Sequence, residues 1–164
     1  MHLAYMRIGD GQGHEAGRQL LEQLYRAYTD APMPTVCAEP GGKPFFAPAE
    51  NPLDLHFSIS HTKGHAFCVL GEKPVGLDAE EMDRQVDLRL AEKILSEPEK
   101  QRFLAAADPR TALLKFWVLK EAAAKLTGRG LQGYPNHTDF DPEDSRVQII
   151  DGCFVAILEE ENVI

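Results

Sequence analysis

From Phe116 to Gly128 the chain reads FWVLKEAAAKLTG. Wound as a helix, this stretch is apolar on almost every side, and a helix apolar all round is normally buried. Its ends are marked. Asp108-Pro109 supplies an N-cap aspartate and a proline at the first helical position, and Gly128 supplies a C-cap. The rest of the chain must fold around this helix. Yet Glu121 and Lys125 sit in it one turn apart, on the face of Leu114 and Trp117. Burying a charge without a partner is costly. An i,i+4 ion pair between them is one solution, but such a pair contributes only about 0.2–0.5 kcal/mol on an exposed helix. It does not account for placing both on an apolar flank. The other solution is that this face lines a cleft, where Glu121 joins a metal and Lys125 meets an anionic substrate.

The remaining pattern predicts a strand over 2–8, a helix over 14–28 and a Pro/Gly-rich loop over 32–52 with a short extended piece. Strands follow at 55–60 and 66–71, joined by a turn at 61–65, and a third lies at 75–80. Val86 to Leu95 fits a short helix. Ser96-Glu97-Pro98-Glu99 has capping-box form and predicts a helix over 98–107. Asp151-Gly152 between two apolar runs predicts a hairpin over 146–159. The class is mixed α+β with mostly antiparallel strands.

With 164 residues, 43% of them hydrophobic, the chain can fill one domain, or two small halves sharing a core. A net charge of −9 argues against broad binding of nucleic-acid phosphates. Cys37, Cys68 and Cys153 are odd in number and lack CxxC spacing, so they read as reduced thiols. The first residues do not form a signal peptide, and no stretch approaches a membrane span. The expectation is a soluble, cytoplasmic protein that binds no membrane.

Two further segments carry chemistry. In PVGLDAE, strand alternation sends Val75, Leu77 and Ala79 to one face and Gly76, Asp78 and Glu80 to the other. Two carboxylates aimed at one place, beside a glycine that lets a ligand approach, suit a hard divalent cation such as magnesium. The plain alternative is a solvated strand end leading into an acidic run. In HFSISHTKGHAF, His61 falls at the strand end, where it and Ser60 can donate to a phosphate, or where it is simply a turn histidine. The histidines at 56, 61 and 65 show no zinc-ligand spacing.

GGKPFF, FSISHT, VGLDAE and FWVLKEAAAKLTGRGL, preceded by EAGRQLLEQLY, stand in an order that resembles the 4′-phosphopantetheinyl transferases of the surfactin-synthetase-activating type. The resemblance covers roughly residues 15–140. It implies a fold of two similar α+β halves, here about 1–80 and 81–164 of one compact domain, with antiparallel strands and a coenzyme A cleft between them. Residues 57–80 would form one side and 108–131 the other. It implies transfer of phosphopantetheine from coenzyme A to a serine of an apo acyl or peptidyl carrier protein. Asp78, Glu80 and Glu121 would hold magnesium, with manganese as the alternative metal. Glu121, or a metal-bound water that it orients, would take the serine proton, and Lys125 would contact the pyrophosphate. His61 and Arg18 would hold the 3′-phosphate, with Lys43 and Ser60 assisting. The carrier would dock near 128–140, helped by Lys120, Arg129 and Arg146. Leu77 and Ala79 depart from the family's usual β-branched residues, and the segment before Arg18 and the tail are short. Two other readings use the same residues: a magnesium-dependent hydrolase of nucleotide pyrophosphates, and a non-catalytic coenzyme A or carrier-binding module.

Overall fold

The computed structural model describes residues 1–128 and 139–161. In chain order its elements are β1 (His2–Arg7), α1 (Gly13–Tyr28), β2 (Val36–Cys37), β3 (Phe45–Phe46), β4 (His56–His61), β5 (His65–Gly71), β6 (Val75–Glu81), α2 (Ala91–Ile94), α3 (Glu97–Ala105), α4 (Pro109–Thr127), β7 (Val147–Ile150) and β8 (Cys153–Glu159). The central helix of the sequence reading is α4. Asp108 caps it by accepting from the Thr111 amide at 3.2 Å, and Gly128 ends it at a φ of 69°. The capping box closes as expected. Ser96 Oγ accepts from the Glu99 amide at 3.3 Å and Glu99 Oε1 from the Ser96 amide at 2.9 Å, starting α3 at Glu97. The β7–β8 hairpin turns at Asp151 and Gly152, both left-handed at φ 48° and 79°. The 32–52 loop holds the two-residue pair β2–β3.

Two three-stranded antiparallel sheets carry the fold, in the orders β1-β5-β4 and β6-β8-β7. On one side of the first, Leu20, Leu21 and Tyr25 of α1 pack on Phe57, Ala66, Cys68 and Leu70. On one side of the second, Leu119 and Ala122 of α4 pack on Phe154, Ala156 and Leu158. Phe67 and Val69 meet Val75, Leu77, Ala79 and Val155 in a third, fully shared layer. β5 is thus buried on both faces, which explains its unbroken apolar run.

The seam between the sheets departs from the expected grouping of 57–80 on one side. β6 forms its backbone ladder with β8, so the chain changes sheet at 72–74. Toward β4, the β6 amides meet side chains instead. Leu77 N–H donates to Ser58 Oγ at 3.0 Å and Ala79 N–H to Ser60 Oγ at 3.2 Å. Both partners advance by two residues, so β4 and β6 run parallel, and buried hydroxyls replace a ladder.

Alternation along β6 is as the sequence indicates: Val75, Leu77 and Ala79 enter the core, and the other face meets α4. The space above Gly76 is not left for a ligand, however. A Cβ there would lie 1.9 Å from the Ala122 carbonyl oxygen and 2.6 Å from the Leu126 amide nitrogen. Glycine lets the backbones of β6 and α4 approach. Among the described residues no helix is long and apolar enough to cross a membrane.

Candidate active site

Close packing of α4 on β6 sets Asp78 beneath Lys125. Asp78 is buried, and its Oδ1 accepts from Lys125 Nζ at 2.9 Å and from Ser60 Oγ at 3.0 Å. Its Oδ2 is buried with no hydrogen-bond partner among the described residues. Leaving such a group unmade costs about 1–3 kcal/mol, so an orphaned carboxylate oxygen calls for a ligand. Burial raises the Asp78 pKa, and the charge and hydrogen bond of Lys125 pull against that rise. Lys125 also donates to the Ile59 carbonyl at 3.3 Å. The ion pair considered within α4 does not form among the described residues: Lys125 bonds to Asp78, leaving Glu121 to the cleft.

Glu80 and Glu121 are half-buried on either side. Burial raises the pKa of both, and the negative charge of Asp78 adds to the rise in each. Arg84 pairs with Glu80 and the Trp117 side chain hydrogen-bonds to it, both lowering its pKa. Sequence reasoning missed Arg84, which lies in the acidic run after β6. The structure therefore brings Asp78, Glu80, Glu121 and Lys125 into one electrostatic site. Among the described residues the three carboxylates do not all come within 4.8 Å of one another, because Arg84 and Lys125 hold two of them. Three carboxylates, one with an orphaned buried oxygen, are the donor type a hard divalent cation takes, but they would have to draw together to share one ion.

Two clefts flank these carboxylates. One of about 510 Å³ is lined by Gly41, Gly42, Lys43, Ile59, Glu121 and Lys125. The other, about 690 Å³, is lined by Gly13, His14, His61, Lys63, Glu80 and Arg84, among others. His61 is exposed there, with its ring against the start of α1; a Cβ on Gly13 would lie 2.4 Å from it. Arg18 lines neither cleft, although His14, one turn before it on α1, lines the second. Ser60 is buried, and its hydroxyl donates to Asp78 Oδ1 at 3.0 Å, so here it aims that carboxylate.

Lys43 reaches from the glycine loop to donate to the Val75 carbonyl. Burial and the neighbouring charge of Lys125 lower its pKa from 10.5 to about 8. Between those values the unfolded chain holds a proton that the folded chain has released, so stability should rise as pH climbs from about 8 to 10.5. Below that window both states are protonated and the penalty is constant. Urea midpoints measured across the window should climb less steeply in Lys43→Met than in the unaltered protein.

Of the docking candidates, Lys120 is excluded by burial. It is 2% exposed and its Nζ lies 2.6 Å from Glu99 Oε1. Arg146 pairs with Asp144 at 2.7 Å. Arg129, and all of the 128–140 segment except Gly128, Asp139 and Phe140, lie outside the described residues.

The family model of the 4′-phosphopantetheinyl transferase superfamily matches residues 74–157, just over half the chain, and so spans β6 and α4. The 4′-phosphopantetheinyl transferase psf-1 of Bacillus pumilus is 31% identical over 119 residues, 70% of this chain and 49% of that protein. The 4′-phosphopantetheinyl transferase gsp of Aneurinibacillus migulanus is 30% identical over 92 residues, 55% of this chain and 36% of that protein. A 4′-phosphopantetheinyl transferase of Bacillus subtilis is 32% identical over 93 residues, 55% of this chain and 39% of that protein. An α+β chain with carboxylates and a lysine on a packed strand and helix is thus the class of protein defined here. The chain belongs to the 4′-phosphopantetheinyl transferase superfamily. It spans half or less of the length of these curated relatives.

Proposed function

We propose that the chain transfers phosphopantetheine from coenzyme A to a serine of an apo acyl or peptidyl carrier protein in the cytoplasm. The observation that carries this is the convergence of Asp78, Glu80, Glu121 and Lys125 within the matched segment. The serine oxygen attacks the β-phosphorus, the bond to the bridging pyrophosphate oxygen breaks, and adenosine 3′,5′-bisphosphate leaves. Magnesium held by Asp78, Glu80 and Glu121 would supply positive charge against the pyrophosphate oxygens. Lys125 would contact the same phosphates from the glycine-loop cleft, which Lys43 also lines. His61 reaches the 3′-phosphate from the second cleft, and coenzyme A lies across both, between two α+β halves.

Glu121 takes the serine proton. An ordinary carboxylate is a weak base; burial and the charge of Asp78 raise the pKa of this one, and a bound cation would oppose that rise. Arg84 must release Glu80 for it to turn to the metal, and the substrate pyrophosphate is a ready alternative partner for that guanidinium.

Intact-mass spectrometry of an apo carrier protein with this chain, coenzyme A and magnesium tests the reading. The expected result is a gain of one phosphopantetheine, slowed by at least about 100-fold in Glu121→Gln. Coenzyme A cleaved with no carrier present would point to the hydrolase, and binding without turnover to the binding module. A gain that survives Glu121→Gln would remove that residue from the base role.

A further inference from the structure

Away from these carboxylates, His65, Glu81 and Cys153 meet where β5, β6 and β8 converge. Glu81 and Cys153 are register partners across β6 and β8, and His65 opens β5. His65 Nδ1 is 2.8 Å from Glu81 Oε1 and 3.4 Å from Cys153 Sγ, and Cys153 Sγ is 3.5 Å from Glu81 Oε2. Among the described residues this is the one set of three such side chains with ligand atoms all within 4.8 Å. A tetrahedral zinc ion, with nitrogen and oxygen at about 2.0 Å and sulfur at about 2.3 Å, sets its ligand atoms about 3.3–3.5 Å apart. The Nδ1–Sγ and Sγ–Oε2 separations already have that length. Nδ1 is hydrogen-bonded to the other carboxylate oxygen, Oε1, which also accepts from Thr62 and Gly64, so the Nδ1–H bond to Oε1 must break for Nδ1 and Oε2 to share an ion.

The surroundings match as well. His65 Nε2 lies 2.8 Å from Asp151 Oδ2, and Arg7 holds Asp151 through two hydrogen bonds of 2.7 Å. A zinc-ligating histidine ordinarily gives its other N–H to a carboxylate, which fixes the tautomer and leaves the first nitrogen for the metal. Burial opposes a charged His65, but Glu81 and Asp151 outweigh it and raise its pKa. Burial and the charge of Glu81 push the Cys153 thiol up to about 12. A fully buried, protonated thiol is no nucleophile, so the Cys–His–Asp line-up is not a hydrolase triad.

We propose that His65, Glu81 and Cys153 form a zinc site, with Asp151 as the outer carboxylate and the cleft lined by Thr62 and Glu81 as the way in. One nitrogen, one sulfur and one oxygen suit zinc and do not suit magnesium. Binding displaces the proton on His65 Nδ1 and the thiol proton of Cys153, so a doubly charged ion enters as two protons leave and the cluster's net charge is unchanged. Its ligands are distinct from Asp78, Glu80 and Glu121, although Glu81 follows Glu80 and both line the same cleft, and the site does not depend on the proposed transfer reaction.

Titrating metal-stripped full-length protein with cobalt(II) tests this. The expected result is a thiolate-to-cobalt charge-transfer band with tetrahedral ligand-field bands, complete at one ion per chain and abolished by zinc. Cys153→Ser should lose the charge-transfer band, Asp151→Asn should weaken binding about 10–100-fold, and Glu121→Gln should leave both unchanged. No band at stoichiometric cobalt, or a band kept in Cys153→Ser, would overturn the site. If Cys153→Ser does not fold, His65→Gln takes its place: a band of undiminished affinity there would overturn the assignment equally. Cobalt uptake without the thiolate band would place the ion on other groups, the carboxylates around Asp78 included, and also overturn it.

Discussion

Gly76→Ala should destabilise the protein by about 3 kcal/mol or more, at the upper end of the overpacking range, and should disable the candidate site. The added methyl would lie 1.9 Å from the Ala122 carbonyl oxygen and 2.6 Å from the Leu126 amide nitrogen. Both obstructing atoms belong to helix backbone, so no side chain can swing aside. The helix must lift from β6, and the residues that ride on it are Glu121 and Lys125. Lys125 would then lose its 2.9 Å bond to Asp78. The urea midpoint should fall, and coenzyme A binding measured by calorimetry should weaken even under conditions where the variant is folded. An unchanged midpoint would mean that β6 and α4 do not approach so closely.

Glu99→Gln is the second large effect, with an expected loss of about 3–5 kcal/mol and a fall in Tm of roughly 10 °C. Glu99 is fully buried and joins three parts of the chain. Oε1 accepts from the Ser96 amide at 2.9 Å and faces Lys120 Nζ at 2.6 Å, and Oε2 accepts from the Phe140 amide at 3.1 Å. Glutamine keeps the shape and one acceptor but removes the charge and turns an NH2 toward one of the two amides, so the loss combines the charge taken from beside Lys120 with one lost backbone acceptor. Lys120→Met should cost a comparable amount. The double variant should recover part of the loss, because a buried pair replaced as a whole is far less harmful than a pair that is broken. Additive single effects in that cycle would show that the two charges do not depend on each other.

These two residues mark how far the sequence could be read. The capping box at Ser96 and Glu99 is a local pattern and was legible, as were the caps of α4, the two hairpins and the alternation along β6. Those features depend on spacing of a few residues. Periodicity put Asp78 with Glu80 on one strand face and Glu121 with Lys125 on one helix face, but that the two faces meet was an expectation the family resemblance supplied. What linear spacing does not carry is which partner each polar atom finds across the fold. Lys125 pairs with Asp78, 47 positions away, and not with Glu121. Lys120 reads as a surface lysine until Glu99 is seen inside beside it. The space above Gly76 belongs to the helix, and the hydroxyl of Ser60 belongs to Asp78. His65, Glu81 and Cys153 come from three strands, so no sequence interval announces them.

The serine seam has a consequence for how the molecule assembles. Ser58 and Ser60 match the amides of Leu77 and Ala79 two by two, so they act as a key with two teeth. A slip of one residue would present Phe57 and Ile59 to those amides and leave both donors buried and unmet. The same slip would take the Ser60 hydroxyl away from Asp78. Alignment of the sheets and aiming of the carboxylate are therefore one event, and a misdocked chain would lack the group on which the proposed chemistry depends.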